Sequence, residues 1–166
     1  LYKLGALGVM HRALPDDEMV RAVSTIARSC DVTAASVGSG ENQVGPATKL
    51  VRAGANIIFI DIAHGYSDSV IETGRKIKQN HSDIKLVIGN TNNINLLKEC
   101  SDFIDGCKIG LSNGLACETK NTAGCVEGQF SAVLKFKEIS KQLGIPIISD
   151  GGSREPADLV KAIGAG

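Results

Sequence analysis

A short unit recurs along this chain and constrains its fold more than any other feature. Each copy runs from an amphipathic helix through a glycine to an apolar strand and a polar loop. Residues 56–61 form the clearest strand, because they are apolar without alternation, as expected when both faces of a parallel sheet are covered. The pattern predicts six strands, at residues 7–11, 32–37, 56–61, 84–89, 106–109 and 145–149. Strands that alternate with helices in this way form right-handed βαβ units and a parallel sheet.

The groups that follow the strands decide between two parallel-sheet architectures. An open doubly wound sheet binds its ligand at one switch point, whereas a barrel uses the ends of all its strands. Here every predicted strand ends in a polar or glycine-rich group, such as His11, Gly38 and Asn90. We therefore predict an α/β fold of the TIM-type (β/α)8 class. Because a full barrel takes eight strands and about 250 residues, we expect residues 1–166 to be a single, incomplete barrel domain of about six βα units.

The composition narrows the choice of partners and of cellular compartment. Eighteen basic residues balance eighteen acidic ones, so no basic field would attract nucleic acid or a membrane surface. No apolar run is long enough to span a bilayer, and no segment has the pattern of a signal peptide. The five cysteines are odd in number and lack C-x-x-C spacing, which disfavours zinc sites and disulfide frameworks. We expect a cytoplasmic protein without nucleic-acid or membrane partners.

One long loop contains a cysteine that could carry chemistry. Between the strand at 106–109 and the helical spacing that resumes near Phe130, glycines together with Ser112 and Asn113 precede Cys117. Loops of this length inside a compact domain are usually functional or disordered. A thiolate just past a strand end could act as a nucleophile, with the Thr119 hydroxyl close enough to assist proton movement. The alternative is an inert, buried cysteine.

Other strand ends offer groups that suit a nucleotide. Gly151 and Gly152 precede a helix and could cradle a phosphate with backbone amides, or could form a plain turn. Asp150 could accept hydrogen bonds from ribose hydroxyls or cap a turn, and Asp61 could serve a second sugar. His64 could be a general base or simply a polar surface group.

Several segments spread over nearly the whole chain carry a recognisable pattern. They are residues 5–12 (GALGVMHR), 61–67 (DIAHGYS), 89–90 (GN), 108–110 (KIG), 117–120 (CETK), 129–133 (QFSAV) and 147–152 (IISDGG). In this order they resemble the IMP dehydrogenase and GMP reductase family of TIM barrels. The resemblance implies a nicotinamide-dependent oxidoreductase of purine nucleotides, in which a cysteine attacks C2 of the purine. Cys117 would be that nucleophile and Thr119 its helper.

The resemblance also implies ligand-binding residues. For the GMP or IMP nucleotide they are Asp150 at the ribose, Gly151 and Gly152 at the phosphate, and Asn90 near the base. For the nicotinamide cofactor, NADPH or alternatively NAD, they are Asp61 and Ala63. In the dehydrogenase, carbonyls of the cysteine loop would also hold a potassium ion, here at Gly110, Gly114 and Cys117. The family resemblance further implies a homotetramer.

The sequence departs from the family pattern in its cysteine loop. Ser112 stands in place of a glycine, and Leu115, which cannot donate a hydrogen bond, stands in place of the serine expected to bind phosphate. No regulatory CBS insert is present, because residues 28–31 lead straight into the strand at 32–37. Residues 129–133 and 147–152 favour GMP reductase, which converts GMP to IMP with NADPH, whereas residues 123–124 favour the dehydrogenase, which oxidises IMP to XMP with NAD. A non-catalytic nucleotide-binding barrel and an unrelated phosphate-binding barrel enzyme are the remaining alternatives.

Overall fold

The computed structural model of the protein describes residues 1–114, 117, 121, 124 and 126–166. Within these residues the strands are β1 (Val9–Met10), β2 (Ala34–Val37), β3 (Ile57–Asp61), β4 (Lys85–Thr91), β5 (Gly106–Ile109) and β6 (Ile147–Ser149). The α-helices are α1 (Asp16–Ala27), α2 (Val44–Arg52), α3 (Asp68–Asn80), α4 (Asn95–Cys100), α5 (Gln129–Leu143) and α6 (Pro156–Ala165). Short 3-10 turns lie at Tyr2–Leu4 and Glu41–Gln43.

The strands follow one another in the sheet in chain order, from β1 to β6. Parallel pairing joins β1 to β2, β2 to β3, and β5 to β6. A barrel has this unbroken order, whereas a doubly wound sheet reverses its order at a switch point. The predicted fold class, a partial TIM-type barrel of βα units, is therefore confirmed.

All six predicted strands are present, and most of them differ from the prediction by one to a few residues at their ends. β5 coincides with the predicted 106–109, and β3 begins one residue later than predicted. β1 is shorter than the predicted 7–11, since only Val9 and Met10 pair with β2. β4 continues to Thr91, two residues beyond the predicted end, so Asn90 belongs to a strand rather than to a loop.

The chain divides into two compact units, of which the first contains residues 1–61 and 67–87. Its core is built from consecutive buried residues of β3, Ile58, Phe59 and Ile60, as expected of a parallel strand with both faces covered. Helix α1 opens after Pro15 with three acidic residues in its first turn, which complement the positive end of the helix dipole. Its buried residues are Met19 and Val23.

The second unit contains residues 62–66 and 88–166. Leu96 and Leu97 of α4, Ile109 of β5 and Phe136 of α5 are fully buried in it. Burial of each such side chain contributes roughly 1.5–3 kcal/mol. Helix α5 ends at Gly144, whose positive φ of 67° is the left-handed conformation that glycine adopts cheaply.

Across the described part of the chain, no helix combines the length and the hydropathy that a bilayer crossing requires.

Candidate functional site

Residues from β4, β5 and the end of β6, all within the second unit, bring polar side chains together around Asp150. This residue directly follows β6, and its backbone N–H donates to the Ile109 carbonyl at the end of β5 (2.9 Å). The Oδ2 atom of Asp150 accepts a hydrogen bond from Asn90 Nδ2 of β4 (2.8 Å). The same oxygen pairs with Lys108 Nζ of β5 (3.0 Å). Asp150 is thus held at its backbone and at Oδ2, and its other carboxylate oxygen has lone pairs of its own that can accept hydrogen bonds.

The surroundings of Asp150 keep its carboxylate ionised. Partial burial by itself would raise its pKa, but the hydrogen bonds from Asn90 and Lys108, with the Lys108 charge, outweigh burial and hold the pKa below its usual value. The side chain of Asp150 is 44% exposed, whereas that of Lys108 is 16% exposed. The carboxylate is therefore more accessible to a ligand than the lysine is. A fixed, ionised and accessible carboxylate is well suited to accept hydrogen bonds from sugar hydroxyls.

Asn90 connects Asp150 with two other segments of the second unit. Its Nδ2 also donates to the Gly110 carbonyl at the start of the cysteine loop (2.8 Å). Its backbone N–H donates to the Ile62 carbonyl (2.8 Å), and its own carbonyl accepts from Gly65 N–H (2.7 Å). Asn90 therefore joins the loop after β3 to the start of the cysteine loop, and both of them to the carboxylate.

The turn after Asp150 packs closely against the cysteine loop, and this close approach requires glycine. Gly151 and Gly152 have φ values of +78° and +75°. A Cβ on Gly151 would lie 2.7 Å from Asn113 Oδ1, and one on Gly152 would lie 2.9 Å from Gln129 Cβ. Side chains at these positions would push the turn and the loop apart, so the two glycines hold a tight backbone cradle next to Asp150.

Gln129, the first residue of α5, is a buried polar residue to which sequence reasoning gave no role. Its Nε2 donates to the Ile109 carbonyl (3.1 Å) and to Ser149 Oγ (2.7 Å). Its Oε1 accepts from Asn113 Nδ2. A sequence signal did exist, because Gln129 lies at helical spacing from Val133 and Phe136, on the face that α5 buries. A polar residue on such a face must find buried partners.

Cys117 is a half-buried thiol whose backbone N–H donates to the Gly114 carbonyl (3.2 Å). Cys107 in β5 contrasts with it, since burial raises the pKa of that thiol to about 12. A thiol with that pKa stays protonated near neutrality and is a poor nucleophile. Thr119 and Leu115 lie outside the described residues, so the predicted pairing of Cys117 with Thr119 stays a prediction.

The residues predicted for the nicotinamide follow β3. Asp61, the last residue of β3, is half-buried, and its carbonyl accepts from Arg12 Nε within the first unit (2.9 Å). Ala63 and His64 are exposed. His11 accepts a hydrogen bond at Nδ1 from the backbone N–H of Ala13 (3.2 Å), a local turn contact.

The carbonyls predicted for a potassium ion already have partners within the protein. That of Gly110 accepts from Asn90, and that of Gly114 accepts from Cys117. A carbonyl oxygen has two lone pairs, so a carbonyl that accepts one hydrogen bond can also bind a cation. Among the residues that the structure describes, no three or more His, Cys, Asp or Glu side chains group as a metal site would need.

Comparison with known proteins gives a consistent result. Residues 1–166 match the family described as the IMP dehydrogenase / GMP reductase domain. The inosine-5'-monophosphate dehydrogenase of Aquifex aeolicus is 37% identical over 133 residues, which are 80% of this chain and 27% of that protein. The GMP reductase of Leishmania donovani is 35% identical over 138 residues, 81% of this chain and 28% of that protein. The chain thus spans roughly a quarter of the length of these curated relatives.

Proposed function

Because the chain belongs to the IMP dehydrogenase / GMP reductase family, we propose that it is the catalytic barrel part of a nicotinamide-dependent oxidoreductase that acts at C2 of a purine nucleotide. The observation that carries the proposal is the ionised Asp150 carboxylate, which is held by Asn90 and Lys108. It stands beside a glycine turn, which packs against the loop that leads to Cys117. This arrangement supports binding of a nucleotide ribose and phosphate next to a thiol nucleophile.

Within the family we favour the GMP reductase reaction, on the resemblance of residues 129–133 and 147–152. The balanced reaction is GMP + NADPH + 2 H⁺ → IMP + NADP⁺ + NH₄⁺. The Cys117 thiolate attacks C2 of the purine, and the bond from C2 to the exocyclic amine breaks as ammonia leaves. The reduced nicotinamide, when bound, supplies a hydride to C2. Cleavage of the C2–S bond then releases IMP and regenerates the thiolate, and Thr119 is proposed to pass the proton to the leaving amine.

IMP dehydrogenase is the second candidate, because relatives named for either activity resemble this chain. The dehydrogenase of Aquifex aeolicus and the reductase of Leishmania donovani are about equally similar to this chain, at 37% and 35% identity. The balanced reaction is IMP + NAD⁺ + H₂O → XMP + NADH + H⁺. The same attack of Cys117 on C2 opens this reaction, but water rather than hydride completes it.

The substrate-binding residues have distinct roles in this proposal. The Asp150 carboxylate accepts hydrogen bonds from the ribose hydroxyls, since Lys108 and Asn90 keep it ionised and in place. Backbone amides of Gly151 and Gly152 donate to the phosphate, which can approach closely where no Cβ stands in the way. Asn90 lies where its backbone and side chain support both the cysteine loop and the carboxylate.

The cofactor residues suit a nicotinamide nucleoside in their chemistry. Asp61, half-buried at the end of β3, has a carboxylate that can accept hydrogen bonds from ribose hydroxyls, and Ala63 is exposed two residues later. For the dehydrogenase reaction, the second lone pairs of the Gly110 and Gly114 carbonyls, together with the Cys117 carbonyl, are proposed to hold potassium. A single, incomplete barrel domain with no CBS insert between residues 28–31 and the following strand, a homotetramer and a cytoplasmic location complete the proposal.

The test compares two substrate pairs with the intact protein. We expect the absorbance of reduced nicotinamide to fall with GMP and NADPH, and to stay constant in the Cys117→Ala variant. A rise with IMP and NAD, without consumption in the presence of GMP, would identify the dehydrogenase instead. If neither pair turns over while calorimetry detects binding of IMP, the protein is a non-catalytic nucleotide-binding barrel and the proposed activity is wrong.

A further inference from the structure

We propose that Gln129 is a positioning residue, which fixes the position of the cysteine loop relative to the turn at residues 150–152. The inference rests on the proposed function, because it concerns where the nucleophile stands relative to the nucleotide. Gln129 touches no reacting atom in this scheme. It acts through its three hydrogen-bond partners, which are Ile109, Ser149 and Asn113.

Each partner of Gln129 directly precedes a residue of the candidate site. Ile109 precedes Gly110, whose carbonyl is bonded to Asn90. Ser149 precedes Asp150, and Asn113 precedes Gly114. One side chain therefore reaches the strand end before the cysteine loop, the strand end before the ribose carboxylate, and the loop itself. A displacement of Gln129 would move all three segments relative to one another.

The pathway from Gln129 to the nucleophile is short. Asn113 donates to Gln129 Oε1, and the adjacent Gly114 accepts at its carbonyl from the Cys117 N–H (3.2 Å). Gln129 is itself anchored, because its helix buries Val133 and Phe136 in the core of the second unit. A residue that is fixed on a packed helix can transmit its position to a loop more precisely than another loop residue can.

Two glycines of the site, Gly110 and Gly152, lie in close contact with Gln129. A Cβ on Gly110 would lie 2.5 Å from Gln129 Oε1, and a Cβ on Gly152 would lie 2.9 Å from Gln129 Cβ. The glutamine thus packs directly against the first residue of the cysteine loop and against the predicted phosphate turn. Its side chain is a contact surface for both segments as well as a hydrogen-bond centre.

Only a carboxamide satisfies all three partners at this buried position, where Gln129 is 8% exposed. Its amino group donates two hydrogen bonds, while its carbonyl accepts one. A methionine has nearly the same shape and makes none of these bonds. An ionised glutamate could accept from Asn113 but would set a negative oxygen against the Ile109 carbonyl. A protonated glutamic acid could donate there through its O–H, so a glutamate variant should work better at low pH.

The experiment uses the intact protein with Gln129→Met, Gln129→Glu and two controls. Gln142→Met and Gln142→Glu make the same changes at an exposed position of the same helix. Alkylation of Cys117 by iodoacetamide, followed by peptide mass spectrometry, reports loop position without any substrate. Half-buried Cys30 in the first unit is the internal standard. Turnover with the substrate pair that proves active gives kcat/KM, and circular dichroism checks folding.

We expect Gln129→Met to lower kcat/KM at least about tenfold, since small misplacements of reacting groups are costly. Alkylation of Cys117 should accelerate about tenfold, as a loop that has lost one or more net hydrogen bonds opens more often. The Cys30 rate and both Gln142 variants should stay within about twofold of wild type. The loss of kcat/KM in Gln129→Glu, measured relative to wild type at the same pH, should be smaller at pH 6 than at pH 8.

Two results would overturn the inference. One is a folded Gln129→Met variant whose Cys117 alkylation and kcat/KM equal those of wild type. The other is a folded Gln129→Glu variant whose Cys117 alkylation and kcat/KM at pH 8 equal those of wild type, which also decides the matter if the methionine variant fails to fold. If wild type turns over neither substrate pair, the proposed function fails, and the alkylation rates at each pH still test the positioning role by themselves.

Discussion

The substitution Gly110→Ala probes the packing of the cysteine loop more sharply than any other single change. Gly110 has a φ of +119°, well outside the range that residues with a side chain prefer. A Cβ there would overlap the Asp150 carbonyl oxygen and would lie 2.5 Å from Gln129 Oε1. One of these neighbours is backbone and the other is a buried side chain with three hydrogen bonds, so neither can move away cheaply.

The expected destabilisation is the sum of two terms. Holding an alanine at a strongly positive φ costs roughly 1–3 kcal/mol. Forcing a methyl group into a packed site costs another 1–3 kcal/mol or so. We therefore expect Gly110→Ala to lower the free energy of unfolding by about 4 kcal/mol, a large share of the roughly 5–15 kcal/mol by which domains are stable.

Gly144→Ala is the matched control, because Gly144 also has a positive φ, +67°, but a Cβ there would have nothing within 4 Å. In this variant the free energy of unfolding should fall only by the cost of the positive φ, about 1–2 kcal/mol. Urea unfolding followed by circular dichroism measures both losses, provided the slope with urea is unchanged. Equal losses in the two variants would mean that Asp150 and Gln129 do not crowd Gly110, and the description of the site would be wrong.

Other expected outcomes concern charge, thiols and ions. The depressed pKa of Asp150 stabilises the fold above its unfolded value of about 3.9, and this stability is lost as pH falls through the lower folded value. Lys108→Met should therefore lower the free energy of unfolding at pH 7 by about 1 kcal/mol or less, because the pair is partly exposed. Urea unfolding at pH 3 should show a smaller loss, and an equal loss at both pH values would contradict this. Because the pKa of Cys107 is about 12, iodoacetamide at pH 8 should modify Cys117 and spare Cys107, and preferential labelling of Cys107 would refute its burial. If the dehydrogenase reaction operates, replacing KCl by NaCl should slow turnover, and equal rates would exclude the potassium loop.

The strands could be predicted from the sequence because a buried parallel strand leaves a local signature. The apolar run of β3 and the glycine that precedes it need no knowledge of distant residues. The end of β4 was less predictable, since Asn90 and Thr91 are polar residues that continue a strand. The backbone of Asn90 bonds to residues 62 and 65 of the loop after β3, and the Thr91 carbonyl accepts from Gly110, which directly follows β5. Backbone pairing rather than composition therefore extends β4.

The candidate site could be predicted residue by residue but not as a network. Asp150 and Asn90 are predictable because each directly follows a predicted strand, where barrels keep their chemistry. Lys108 could not be found, because a lysine inside a short strand usually indicates an edge or a solvated end. Its charge matters only because β5 and β6 pair in the register that sets Lys108 opposite Ile148, close enough for its Nζ to reach Asp150.

The central claim is that Cys117 forms a covalent bond with C2 of a purine nucleotide. The direct measurement incubates the intact protein with GMP and NADPH, and separately with IMP and NAD, followed by acid quenching, digestion and peptide mass spectrometry. We predict a nucleotide adduct on the peptide that contains Cys117 with one of the two pairs, and no adduct or turnover in Cys117→Ala. Turnover that persists in Cys117→Ala, or an adduct on another cysteine, would contradict the claim.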